Sequence, residues 1–136
     1  MDLVIFIERF FSIVLLLTAI SHILQPKYWR DFFIMLKNTG VAGIIIAIYT
    51  LPLGLLIVIG HNIWVFDLPV ITTICGWGMT LKSVSYVCIA GQAEKMIPID
   101  ENAHRKYLYG GIIILPITLL LIYQSFIRLH YSLLIA

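Results

Sequence analysis

A lysine inside an apolar run has more chemistry to offer than any other residue in this chain. Lys82 lies within VITTICGWGMTLKSVSYVCIA, about 20 Å of helix from Pro69 and about 14 Å from Gly91 at 1.5 Å per residue. An ammonium near the middle of a membrane helix costs about 2.5–3.5 kcal/mol on insertion scales and usually faces other protein. Two readings follow. In one, Lys82 is a buried cation that binds an anion, relays a proton or pairs with a carboxylate. In the other, its four-carbon stem carries the ammonium to the headgroups of the nearer surface. Glu8 is the acid placed within an apolar segment, about 9 Å from the opposite edge. Direct contact between Glu8 and Lys82 is therefore out of reach, and Glu8 is expected to neutralise Arg9 or the interface.

A second constellation precedes the lysine. His61, Asn62 and Trp64 follow Gly60, where their polar groups can satisfy the last carbonyls of the preceding helix. They can also form a polar mouth on the outer face, with Lys82 as the floor of a cavity between the second and third long helices. Trp77, on the same helix as Lys82, packs against a neighbouring helix or lines that cavity. The candidate binding residues are thus Lys82, Trp77, His61, Asn62 and Trp64.

Metal and enzyme signals are weak. His22 and His61 end different helices at opposite faces, so they cannot serve as axial ligands of one haem. His22 and His104 share a side, but no further Cys, His or paired acid closes a site around them, and His130 lies in the tail. There is no G-x-S-x-G, H-E-x-x-H or Walker loop. Ser21 and His22 are neighbours on a helix and point apart. No catalytic residue, metal ligand or cofactor is assigned.

The elements that must position these residues are helices. The chain has 136 residues, of which 61% are hydrophobic and 12% charged. Soluble domains carry about 25% charged residues, so this composition describes an integral membrane protein. Helices are expected at about 3–25, 41–60, 68–91 and 107–127, each long enough for the roughly 20 residues a crossing needs. Alternating strand patterns are absent, and backbone amides in lipid must be bonded internally. The expected fold is all-α: one domain, 1–136, built as a four-transmembrane-helix bundle with a short interfacial helix in the first loop.

That interfacial helix comes from QPKYWRDFFIMLKN, where Tyr28, Trp29, Phe32, Phe33 and Leu36 oppose Lys27, Arg30, Asp31 and Lys37; the alternative reading of the same residues is an aromatic belt without helical order. Gly60 is expected to end the second long helix in the left-handed conformation. Asp67 and Pro69 suit the start of the third, so these two helices should form an antiparallel hairpin. Thr72, Gly76 and Thr80 recur every four residues and would let a neighbouring helix approach closely. Asp100 is expected to cap the last helix, with Arg105 and Lys106 as anchors at the bilayer surface. The first segment has no basic lead and no small-x-small cleavage site, so it reads as a retained helix rather than a signal peptide. Cys75 and Cys88 fall on roughly opposite faces of one helix and read as packing residues.

Charge placement sets an expected orientation. Lys27, Arg30, Lys37, Lys95, Arg105 and Lys106 fall in loops on one side, against Arg9 and Arg128 on the other. By the positive-inside rule both termini face the periplasm of a bacterial inner membrane. The expected partners are the lipid bilayer and further copies of this chain or a larger membrane complex, with no nucleic acid.

His61-Asn62-x-Trp64, then Asp67, Thr72-Thr73, Gly76-Trp77 and Leu81-Lys82, resembles a group of small four-helix bacterial inner-membrane proteins of uncharacterised function. His22, Gln25-Pro26, Trp29 and Phe32-Phe33 are similar to their first loop, so the likeness spans roughly the first two-thirds of the chain. More loosely, size and helix count resemble the DoxX-like membrane proteins. The group carries no established activity. It seats a glycine after the lysine where this chain has Ser83. The favoured expectation is a non-enzymatic accessory or structural membrane subunit. Two alternatives stand beside it: a small transporter or channel with Lys82 in an intramembrane cavity, and a lipid- or quinone-directed membrane enzyme.

Overall fold

A computed structural model describes residues 2–128. The described chain is all-α: α1 Leu3–Leu24, α2 Pro26–Asn38, α3 Ala42–Gly60, α4 Pro69–Cys88, the short α5 Gln92–Met96, and α6 Ala103–Ile122 with a π-helical extension, Tyr123–Arg128. Three helices are long and apolar enough to cross a membrane: Leu3–Leu24, Ala42–Gly60 and Ala103–Arg128. Helix α4 matches them in length but not in apolarity, because Thr72, Thr73, Thr80, Lys82 and Ser83 all lie within it.

Local sequence explains the boundaries. The Asp2 side chain accepts from the Val4 amide at the start of α1. Pro26 has no amide to offer, so α1 stops and proline becomes the first residue of α2. α2 is the most amphipathic of the long segments, as its aromatic pattern predicts, and Gly40 ends the turn after it with a φ of 72°. α4 opens on Pro69 at its first turn, with the Leu68 amide bonded to Asp67 Oδ1 at 2.8 Å. The start of α3 is held from outside: Glu94 Oε1 accepts from the Ala42 amide at 2.8 Å, which ties α5 beneath it.

Two boundary expectations change. Gly60 is not left-handed, since only Gly40 and Gly91 have positive φ among the described residues. Gly60 is small because Ile7 and Leu3 of α1 press on it, and a Cβ there would sit 2.5 Å from Ile7 Cδ1. Asp100 is not the N-cap of α6; Asn102 holds that position, and the Asp100 carboxylate instead bonds Lys106 Nζ at 3.0 Å. His130 falls outside the described residues.

The long helices pack as two antiparallel pairs. In the α3–α4 pair, Gly54 faces Thr80 and Gly76 faces Ile57 so closely that neither glycine has room for a Cβ. The Thr50 and Ser83 hydroxyls meet at 2.6 Å. Thr72, Gly76 and Thr80 are all buried, so the polar residues of α4 form its packing face. In the α1–α6 pair, Gly111 lies against Ala19 and His22, and the Ser125 carbonyl in the π-helical extension accepts from Arg9 Nε at 3.0 Å.

The two pairs meet through Ile7, Phe11, Ile57 and Leu121 toward the hinge that joins α3 to α4. At the opposite end α2 and α5 close the structure around Leu36, Ala42, Ala93 and Ile97. Phe33 stacks on Tyr107 at 5.4 Å there, and Lys37 Nζ donates to the Ile97 carbonyl at 3.1 Å. Both basic loops therefore sit at one end of the molecule.

Candidate functional site

The five residues singled out in the sequence do not form one site. His61 turns inward and is fully buried, where its Nε2 lies 2.7 Å from Glu8 Oε1 on α1. Asn62 Oδ1 accepts from the indole nitrogens of both Trp64, at 2.8 Å, and Trp77, at 3.2 Å. That trio clamps the hinge to the flank of α4 at the surface. Lys82 lies apart from both groups, on the wall of a cavity nearer the basic end.

The buried cluster is built from three elements. Thr73 Oγ1 is within bonding distance of the His61 carbonyl at 2.8 Å and the Ile63 carbonyl at 2.9 Å, and it accepts from the Ile63 amide at 3.1 Å. The single hydroxyl proton goes to a carbonyl, so at the 3.3 Å contact with His61 Nδ1 the imidazole is the donor. Nε2 in turn is hydrogen-bonded to Glu8 Oε1 at 2.7 Å, which gives each of the two buried side chains a partner in an interior that disfavours a lone charge. Glu8 Oε2 is buried with no partner among the described residues. The cluster joins the α1–α6 pair to the α3–α4 pair at the hinge end.

This corrects the expected roles. Glu8 bonds His61, not merely the interface, and the His61 ring caps no carbonyl of α3. The signal was available: an acid inside an apolar segment needs an ionisable or polar partner, and His61 ends a helix on the same side.

The cavity measures about 450 Å³. Sequence placed it between the second and third long helices, but that contact is closed by Gly54, Gly76 and Thr80. It lies instead in the space between the two pairs. α1 supplies Phe11, Val14, Leu15 and Thr18, α3 supplies Tyr49, Thr50 and Leu53, and α4 supplies Met79 and Lys82. Trp29, Phe32 and Phe33 of α2 cover the basic end. α2 is fixed in that position because Trp29 Nε1 donates to Ser21 Oγ at 2.9 Å and its ring stacks on His22 at 4.3 Å.

Most polar groups in the wall are already engaged. Thr18 Oγ1 donates to the Val14 carbonyl and Thr50 Oγ1 to the Ile46 carbonyl. Lys82 has no hydrogen-bond or ion-pair partner among the described residues; its Nζ stands 5.5 Å from the Tyr86 ring centroid, within range of a cation–π contact. Tyr86 is one turn onward, so the stem runs toward the basic end. Among the described residues no Asp or Glu contributes to the cavity wall.

At the hinge surface, the Asp67 carboxyl is held below its ordinary value by its hydrogen bond from Arg128 Nη1, 2.6 Å away, and by the Leu68 amide. This ion pair ties the hinge to the end of α6. No known protein family, curated protein or solved structure matches the chain.

Proposed function

We propose that this protein is a non-enzymatic, four-span subunit of a bacterial inner membrane that holds one lipid-soluble molecule in the cleft between its two helix pairs. The cleft carries the reading. It has about 450 Å³ of space walled by apolar and aromatic side chains, a size and lining typical of small-molecule sites. The pairs are joined at one end by Glu8 and His61 and covered at the other by α2, so the space is a feature of the fold and not a loose contact.

The fourth span on this reading is α4, whose Thr73, Thr80 and Ser83 hydroxyls bond carbonyls of α4 itself, Thr50 of α3 and the hinge rather than facing lipid unpaired. The six bases at one end support a cytoplasmic position for that end, by the positive-inside rule. The likeness to the small four-helix bacterial membrane proteins, including the looser one to DoxX-like proteins, belongs to the same proposal. So does self-association or membership of a larger membrane complex.

Val14 faces the cleft and is the place to fill it. The test is extraction of the purified protein in non-ionic detergent, followed by mass analysis of what stays bound. Wild type should carry one lipid-soluble molecule per chain, and Val14→Trp should carry none while eluting as the same folded species. Equal retention by both proteins, or none by wild type, would defeat the proposal.

A further inference from the structure

Lys82 distinguishes the cleft from a simple greasy slot. Among the described residues it is the cationic group in the wall, and no carboxylate shares that wall. Thr18, Thr50 and Trp29 spend their donors on protein acceptors. A neutral occupant would leave the ammonium facing hydrocarbon with only the Tyr86 ring for company. A negative head would both neutralise the charge and take up its unspent donors, a pairing that strengthens as water is excluded.

The two ends of the space differ accordingly. The Thr50–Ser83 bond places Lys82 at the level of Thr50, where it borders the cleft although the residue as a whole is exposed. Leu53 and Met79 lie about a turn closer to the hinge, where the wall is purely apolar with Phe11. From this polarity we infer that the occupant is a single-chain amphiphile with an anionic head, its carboxylate or phosphate on Lys82 and its chain toward Phe11, Leu53 and Met79. The inference rests on the reading of the cleft as a binding site. It opposes plain snorkelling, in which the ammonium meets the headgroups of surrounding lipid and selects nothing in the cleft.

The test titrates the full chain, in non-ionic detergent, by native mass spectrometry. The ligands are oleate, oleoyl lysophosphatidate and oleyl alcohol, the last presenting the same chain without charge. Wild type should take up one anionic ligand, about tenfold more tightly than the alcohol, the factor expected for one charge-assisted hydrogen bond. Lys82→Met should lose that preference and still bind oleyl alcohol, which shows that the cleft remains folded. Lys82→Arg should keep the preference. Tighter binding of oleate names a free fatty acid as the source, and tighter binding of lysophosphatidate names a phospholipid product. Equal binding of oleate and oleyl alcohol by wild type, or an unchanged preference in Lys82→Met, overturns the anionic head but leaves the cleft standing. Failure of all three ligands to bind, or undiminished uptake by Val14→Trp, overturns the cleft itself.

Discussion

Glu8 and His61 show how a buried polar pair can organise a thin membrane protein. Their side chains are 4% and 0% exposed, and each is the other's ionisable partner. Removing one partner of such a pair strands the other and costs about 3–5 kcal/mol. Glu8→Ala and His61→Ala should each lower stability in detergent by an amount of that order. The double variant should fall short of the sum by about 1–3 kcal/mol, because the second change removes a group already stranded. Additive losses in chemical denaturation would show that the two side chains are not coupled. Lys82 should behave in the opposite way. With no carboxylate within 4.0 Å of it among the described residues, Lys82→Met strands nothing and removes a charge from an apolar wall. Its melting temperature should equal or exceed that of wild type. A drop worth about 3 kcal/mol would reveal a hidden partner.

At the scale of elements, α4 joins the structure through small and hydroxyl-bearing residues. Gly76 and Gly54 bring its backbone close to α3, and Thr50, Thr80 and Ser83 keep their hydroxyl bonds within the pair. Without this, a helix carrying three threonines and a lysine would be poorly suited to lipid. Cysteines at Thr50 and Ser83, in a background lacking Cys75 and Cys88, should crosslink rapidly, since the native hydroxyls lie 2.6 Å apart. Gly76→Leu should abolish that crosslink, because a side chain there meets Ile57 with nowhere to go. Persistent crosslinking in the Gly76→Leu protein would show that the pair tolerates separation. The same packing explains why Trp77, rather than reaching into the interior, lies on the flank bonded to Asn62.

For the whole molecule, the loops rich in lysine and arginine converge on one end, beside α2 and α5. The opposite end carries the hinge, the Asp67–Arg128 ion pair and the exposed rings of Trp64 and Phe66. Aromatic side chains at that level suit a headgroup zone. The orientation proposed from the charge bias predicts the behaviour of reporters fused after Ala136. An alkaline-phosphatase type should be active, and a fluorescent protein that folds only in the cytoplasm should stay dark. The reverse pattern would turn the molecule over and place the Glu8–His61 end inside.

Helix content, the break at Pro26, the aromatic face of α2 and the close approach at Thr72, Gly76 and Thr80 were legible from the sequence alone. Each depends on local periodicity or on the covalent properties of proline and glycine, which neighbours in the chain determine. The Lys82 anomaly was legible for the same reason, as a charge in an apolar run. Tertiary structure decided what a local pattern cannot encode. It paired Glu8 with His61 across 53 positions of sequence, moved the cavity from between α3 and α4 to the space between the two pairs, and assigned Gly60 to packing instead of a left-handed turn. Those outcomes depend on which helices lie side by side and how far apart they stand, and only the packing of distant side chains settles that.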